Sequence, residues 1–380
     1  MCYHAYEDLT FHGSGNRVHI GAVEFSDFRN FHSLSFSPAA NLNILSGPNA
    51  QGKTNLLEGL GVLMVGRSFR GARVAELPRW GCPQSAVRGH VWRRDDVRVM
   101  TRLIQPRDDG VWSVTGEGSS WARVVPFGWT DLAILHGGPQ ARRDFVDGFT
   151  AKLYPAHATA YRRYRQILQR RNRLLQGSSG GSSLRAGLEP WNDQLISVGM
   201  EILSRRRIAV DALEQEVARL YRELAGHGQV ALRYQSSLGF SPTDESFRSM
   251  LDARFGEEVR RGLSVVGPHR DDLLIDLDGR DVRRFGSRGQ QRLMALTLRL
   301  SEAGPVAEAV GSAPVLLLDD ALSELDPGVQ ARVLEHIARA GQVFLTTAEA
   351  TLPDAESAIR WEVHEGRVRT DGVVVMNGAA

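Results

Sequence analysis

A chain of 380 residues with 42% hydrophobic content can bury a large core and suggests two domains, while the absence of any long apolar run excludes a membrane-spanning helix. With 46 Lys+Arg against 44 Asp+Glu the formal charge is only +2, so attraction to a polyanion has to come from local clusters of arginine. Cys2 and Cys82 make no disulfide framework and have no metal-ligand spacing, and Met1 to Arg17 shows no apolar h-region or cleavage-type site, so the expectation is the reducing cytoplasm and not secretion.

Residues 1–17 read as a loose extension. From Val18 to about Leu135 short strands dominate, with Val18-His19-Ile20 and Val23-Glu24-Phe25 leading into Phe28-Arg29-Asn30-Phe31. The apolar run Leu42-Asn43-Ile44-Leu45 then delivers Gly47-Pro48-Asn49-Ala50-Gln51-Gly52-Lys53-Thr54, a G-x-x-x-x-G-K-[ST] phosphate loop, followed by a helix through Val65. Glycines at both ends let successive N–H groups point inward at phosphate oxygens, and the helix adds its positive end. Lys53 supplies a compact charge that arginine would be too bulky to replace, and Thr54 offers a hydroxyl to magnesium. Basic positions here are otherwise nearly all arginine; only Lys53 and Lys152 are lysines. After Arg79, β-branched runs at Val91-Trp92, Val97-Arg98-Val99, Leu103-Ile104 and Val111-Trp112-Ser113-Val114 are broken by tight turns, which implies antiparallel pairing.

From about Gln140 to Gly226 the spacing predicts helices. Tyr161 to Leu175 carries Arg162, Arg163, Arg165, Arg170, Arg171 and Arg173 around an apolar stripe of Tyr164, Ile167, Leu168 and Leu175. Those arginines can contact phosphates, with Tyr161 and Tyr164 placed to stack on a base; a solvated charged face is the blander alternative. Arg142 and Arg143 are open between phosphate contact and salt bridges to Asp144 and Asp147. A second helix starts near Trp191, after the flexible connection Gly177 to Ser183.

The stretch from about Val265 to Val368 holds the remaining chemistry. Val315-Leu316-Leu317-Leu318-Asp319-Asp320 is a buried parallel strand delivering two carboxylates, Asp319 to organise magnesium and Asp320 to position or deprotonate water. Ser287 caps the helix that runs through Leu300, making a second anion site at a helix N-terminus. Ser323-Glu324-Leu325-Asp326-Pro327 follows the aspartates in one short loop. His269 beside Asp271 has too few further ligands for a metal site and reads as a hydrogen-bonded loop histidine.

This order of motifs resembles the ATP-binding-cassette ATPase superfamily in its chromosome-associated branch, and within it the RecF family of bacterial gap-repair proteins. Gly47 to Thr54 matches Walker A, Ser287-Arg288-Gly289-Gln290 the signature, Asp319-Asp320 Walker B, and Ser323 to Asp326 the D-loop. Asp27-Phe28-Arg29-Asn30-Phe31, Gly137-Gly138-Pro139, Arg171-Asn172 and Gly267-Pro268-His269-Arg270-Asp271-Asp272 are further landmarks. The resemblance implies an α/β fold: an ABC-type ATPase head with mixed sheets, built from residues 18–139 and 260–370. A mainly helical insertion would occupy 140–259 and a tail 371–380. It implies ATP and Mg2+ as cofactors, with ATP bound by Gly47 to Thr54 of one protomer and by Ser287, Gly289, Gln290 and Asp326. Lys53, Asp319 and Asp320 would be catalytic, and Thr54 and Asp319 would hold magnesium. The implied partners are DNA with a gap or a single-strand/double-strand junction, a second copy in the presence of ATP, RecR, and functionally RecO and RecA. No membrane partner is implied; the expected location is the cytoplasm, at the nucleoid.

The chain also departs from the pattern. Asp320 stands where many ABC ATPases have glutamate, which implies slow turnover. Phe344-Leu345-Thr346-Thr347 has no switch histidine, and neither Gln84 nor Gln105 suits a Q-loop. A transporter ATPase subunit or a long-arm chromosome ATPase are the alternatives; the missing histidine weighs against the first and the short insertion against the second.

Overall fold

The computed structural model describes residues 17–94, 96–119, 121–177, 181–348 and 358–370. Residues 1–16, most of the expected extension, and the expected tail 371–380 lie outside them.

The N-terminal stretch begins with β1 (Val18–Phe28), β2 (Phe31–Phe36) and β3 (Leu42–Ser46), and the phosphate loop leads into α1 (Lys53–Val65). Next come β4 (Ser85–Arg93), β5 (Asp96–Pro106), β6 (Trp112–Thr115) and β7 (Val124–Phe127). An antiparallel sheet has the order β2-β1-β4-β5-β6, as the tight turns predict. The two short strands expected at Val18 and Val23 are one continuous β1, because a bulge between Ile20 and Ala22 absorbs the break in alternation.

The middle of the chain is α2 (Ala133–His136), α3 (Pro139–Leu153), α4 (Pro155–Gln176), α5 (Ser182–Ala225), β8 (Val230–Gln235) and α6 (Asp244–Arg261). α5 starts earlier than expected and runs through Pro190. The lost hydrogen bond and ring clash cost about 3 kcal/mol in a helix interior. Burial of Leu184 and Leu188 with Leu175, against Phe255 and Val259, offsets that cost and carries the helix past the proline.

The C-terminal part contains β9 (Asp272–Leu277), β10 (Arg280–Asp281), α7 (Val282–Phe285), α8 (Arg288–Leu300), α9 (Ala303–Val310), β11 (Val315–Leu318), α10 (Pro327–Ala338), β12 (Val343–Thr346), β13 (Ile359–His364) and β14 (Arg367–Thr370). β8 pairs with β9, so the small sheet β10-β9-β8 spans residue 260. The largest sheet has the order β14-β13-β3-β12-β11-β7, parallel except for β14. β3 and β7 come from the N-terminal part and the other four strands from the C-terminal part, with β3 inserted between β13 and β12, so neither end can form it alone.

Both faces of this sheet are covered, which is why its strands read as unbroken apolar runs. Leu45, Leu317 and Phe344 face α1 and the antiparallel sheet. Ile44, Leu316, Leu318 and Leu345 face a second core that includes Leu293, Met294 and Leu296 of α8. The architecture is thus a mixed α/β head assembled from N- and C-terminal parts, with a helical insertion between them. Among the described residues no helix is long and apolar enough to cross a membrane.

Candidate nucleotide site

β3 ends against β13, and the chain must turn there without a side chain. A Cβ on Gly47, whose φ is 141°, would lie 2.3 Å from Val363 O, and one on Gly52, with φ 113°, would lie 2.5 Å from Asn30 Nδ2. The loop is braced from outside: Asn30 Nδ2 donates to Gln51 O at 3.2 Å, and Gln51 Oε1 accepts from Glu365 N at 2.8 Å. Pro48, Asn49 and Ala50 form its exposed crest. α1 has no capping side chain and no acidic residue in its first turn, so its first N–H groups remain anion donors. Lys53 Nζ spans the loop, donating to Gly47 O at 2.5 Å and Pro48 O at 2.8 Å. Burial pulls the Lys53 ammonium below its ordinary pKa, against the opposing pull of Asp320 and Asp319.

Parallel pairing of β11 between β12 and β7 brings Asp319 to the same edge. Its Oδ1 accepts from Thr54 Oγ1 and from Thr346 Oγ1, each at 2.8 Å. Burial raises the Asp319 pKa, opposed by those two hydrogen bonds and by the charge of Arg70. A hydroxyl and a carboxylate in hydrogen-bond contact are hard oxygen donors, a set that suits magnesium. Asp320 has a φ of 51° and leaves its carboxylate mostly exposed beside this pair.

Three contributors at this edge were not legible in the sequence. Thr346 fills the region searched for a switch histidine, donating to Asp319 and accepting from Asp320 N at 2.8 Å. Arg70 sits by Asn55 and the fully buried Glu58, which Arg29 holds with two hydrogen bonds of 2.7 and 2.8 Å. Arg292 reaches back from α8 to Asp320 O and Ser323 Oγ, both at 2.5 Å, tying the signature helix to Walker B and the D-loop.

Ser287 does cap α8. It exchanges hydrogen bonds with Gln290, Gln290 N to Ser287 Oγ at 3.3 Å and Ser287 N to Gln290 Oε1 at 2.8 Å. Ser287 is exposed, Gly289 follows it in the first turn, and Asp326 precedes α10 with no capping bond. Among the described residues no hydrogen bond or ion pair joins Ser287 to the loop 47–54.

The cationic helix is only partly as expected. Arg162, Arg163, Arg165, Arg170 and Arg173 are exposed on α4. Arg171 is not on that face: its guanidinium is 1% exposed and bonds Glu258 Oε2 at 2.6 Å, Ser264 Oγ at 2.7 Å and Asn192 Oδ1 at 2.9 Å. It therefore drops out of the DNA set, as does Tyr164 as a stacking ring. Tyr164 is buried and donates to His269 Nδ1 at 2.8 Å, while His269 Nε2 donates to Ser264 O at 3.0 Å. Burial pushes the His269 pKa down to about 4. Arg142 pairs with Asp272 at 2.6 Å, not with Asp144 or Asp147, and Arg143 donates to Asp271 O at 2.8 Å. Asp147 is held instead by Arg206 at 2.7 Å and His157 at 2.9 Å.

No family model matches the chain. Over 354 residues it is 36% identical to the DNA replication and repair protein RecF of Moorella thermoacetica, covering 91% of this chain and 95% of that one. The chain belongs to the RecF family. The protein of the same name from Desulforudis audaxviator is 36% identical over 359 residues, 92% of this chain and 98% of that one. A solved structure described as the recombination mediator protein RecF-ATP in the RecFOR pathway superposes with a TM-score of 0.82 at 26% identity, covering 95% of this chain and 100% of that one. An Smc head domain from Pyrococcus furiosus shares the fold at a TM-score of 0.54 and 17% identity, covering 94% and 96%. RecF family membership and an ABC-type head agree with the motif order.

Proposed function

We propose that this RecF-family chain is an ATP-gated DNA clamp of gap repair, a weak ATPase whose hydrolysis acts as a timer. ATP lies on Gly47 to Thr54, with Lys53 on its outer phosphates. The Thr54 hydroxyl and Asp319 carboxylate would hold magnesium, which when bound would neutralise phosphate charge. The capped helix at Ser287, exposed and without a link to its own phosphate loop, carries the reading. Such an anion site is used only if a second copy presents Ser287, Gly289, Gln290 and Asp326 to the nucleotide through an isologous contact. The solved RecF-ATP structure of matching fold supports the nucleotide part.

Asp320 orients the attacking water and accepts its proton as oxygen bonds to the terminal phosphorus and the bridging P–O bond breaks. Its side chain is shorter than glutamate, so hydrolysis is slow. ATP that binds the dimer preferentially shifts the population toward it. In that state the exposed arginines of α4 hold gapped DNA, and the clamp recruits RecR, with RecO, so that RecA loads at the gap. The head comprises 18–139 and 260–370 and the insertion 140–259, acting at the nucleoid in the cytoplasm.

The test is sedimentation velocity of the wild type and Ser287→Arg, with and without ATP, then with gapped duplex DNA. Dimerisation and tighter DNA binding by the wild type alone are expected. Unchanged mass and DNA affinity in both, with ATP still bound, would overturn the clamp.

A further inference from the structure

Trp80 is 99% exposed, yet the loop that carries it is rigidly framed. Arg29 N donates to Leu77 O at 2.9 Å, Arg79 N to Asp27 O at 2.6 Å, and Cys82 N to Arg79 O at 3.0 Å. Leu77 is buried beneath, and Phe28 bridges Pro78. The Asp27 carboxylate is itself held by His32 Nδ1 at 2.7 Å. A large ring presented wholly to solvent on a fixed frame gains free energy only when something covers it.

The surroundings of the ring decide what that is. Among the described residues from 66 to 94, Trp80 is the one exposed large hydrophobic. The stretch 66–84 holds Arg67, Arg70, Arg73 and Arg79 against the single acid Glu76; Arg70 pairs with Glu58 at 3.4 Å, and Arg79, half exposed, has Asp27 at 3.9 Å. An exposed indole on a fixed frame in an arginine-rich stretch fits an unpaired nucleobase stacked on the ring, with guanidinium groups near its phosphates. A duplex, whose bases are already stacked, offers it no such partner.

We infer that Trp80 is a stacking platform for an unpaired base of single-stranded DNA, with Arg79 as its phosphate contact. This rests on the DNA reading above and adds to it where the unpaired strand lies. The platform also borders the nucleotide loop. The Asp27–Asn30 turn that frames Trp80 on one side braces Gln51 on the other, through Asn30 Nδ2 at 3.2 Å, and Asn30 Oδ1 accepts from Asn55 Nδ2 at 2.8 Å.

The experiment is fluorescence anisotropy with the full chain, ATP and Mg2+, using a labelled single strand, a gapped duplex and a blunt duplex. Trp80→Ala should weaken binding to the single strand and the gapped duplex about ten-fold, leave the blunt duplex within about two-fold, and be largely rescued by Trp80→Phe. Unchanged single-strand binding in Trp80→Ala overturns the platform. Equal loss on all three DNAs, or loss of ATP-dependent dimer mass with DNA affinity intact, also overturns it, the latter by assigning the ring to a second copy. If the wild type binds none of the three DNAs, the clamp reading itself fails and the platform with it.

Discussion

Thr346 Oγ1 donates to Asp319 Oδ1 at 2.8 Å while accepting from Asp320 N, so one hydroxyl on β12 holds the Asp319 carboxylate and the backbone of Asp320. Thr346→Val removes that bond at nearly constant volume. A buried hydrogen bond to a charged group is worth about 1.5–3 kcal/mol, so kcat should fall at least about ten-fold with ATP affinity nearly unchanged. The Thr346 bond also opposes the burial that raises the Asp319 pKa, so the acid limb of the ATPase pH profile should move to higher pH in the variant. Thr346→Ser should restore both, and steady-state kinetics across pH decides the matter.

Asp320→Asn keeps the shape of the side chain but cannot take a proton from water. Hydrolysis should fall about 100-fold while ATP-dependent mass and DNA binding persist, as expected for loss of a general base. Loss of dimerisation in this variant would place Asp320 in assembly instead.

Arg171 and its neighbours on α4 should separate cleanly. Arg171→Ala strands the fully buried Glu258 carboxylate, and breaking such a pair costs about 3–5 kcal/mol of folding stability. Arg163→Ala with Arg165→Ala should leave the melting temperature unchanged and reduce the salt slope of DNA binding by about 2, if both contact phosphates. Denaturant titration and a salt series measure the two effects.

His269 should make the fold acid-sensitive. Its folded pKa of about 4 lies below the ordinary histidine value of 6.5, so the unfolded chain binds the extra proton first. Stability from this group is whole above pH 6.5, is lost as pH falls toward 4, and changes no further below that. In His269→Gln the melting temperature should fall less over that window than in the wild type; an identical decline would remove His269 from the account.

The nucleotide loop was legible because Gly47, Gly52, Lys53 and Thr54 stand at a fixed local spacing after an apolar strand, a pattern that phosphate binding requires. That a side chain at Gly47 or Gly52 would strike Val363 or Asn30 is a matter of tertiary packing. The strand ending in Asp319 was legible for a similar reason, since a sheet covered on both faces leaves a continuous aliphatic run. The inward turn of Arg171 was missed although its spacing signals it: it stands four residues from both Ile167 and Leu175 on the apolar stripe, while Arg170 stays exposed with its guanidinium over the Trp191 ring. What the spacing does not give is the set of partners, Asn192, Glu258 and Ser264, which packing of α4 against α5 and α6 supplies.

By itself the sequence determined the strand–loop–helix carrying Lys53, the two aspartates after Leu318 and the cap at Ser287, because turn chemistry, capping and periodicity act over a few residues. Tertiary structure decided which distant groups meet them. Thr54 reaches Asp319 and Gln51 meets Glu365 because the parallel sheet interleaves the two ends of the chain, Thr346 reaches Asp319 because β12 lies beside β11, and Arg292 reaches Asp320 because α8 packs on that sheet, pairings that no local spacing encodes.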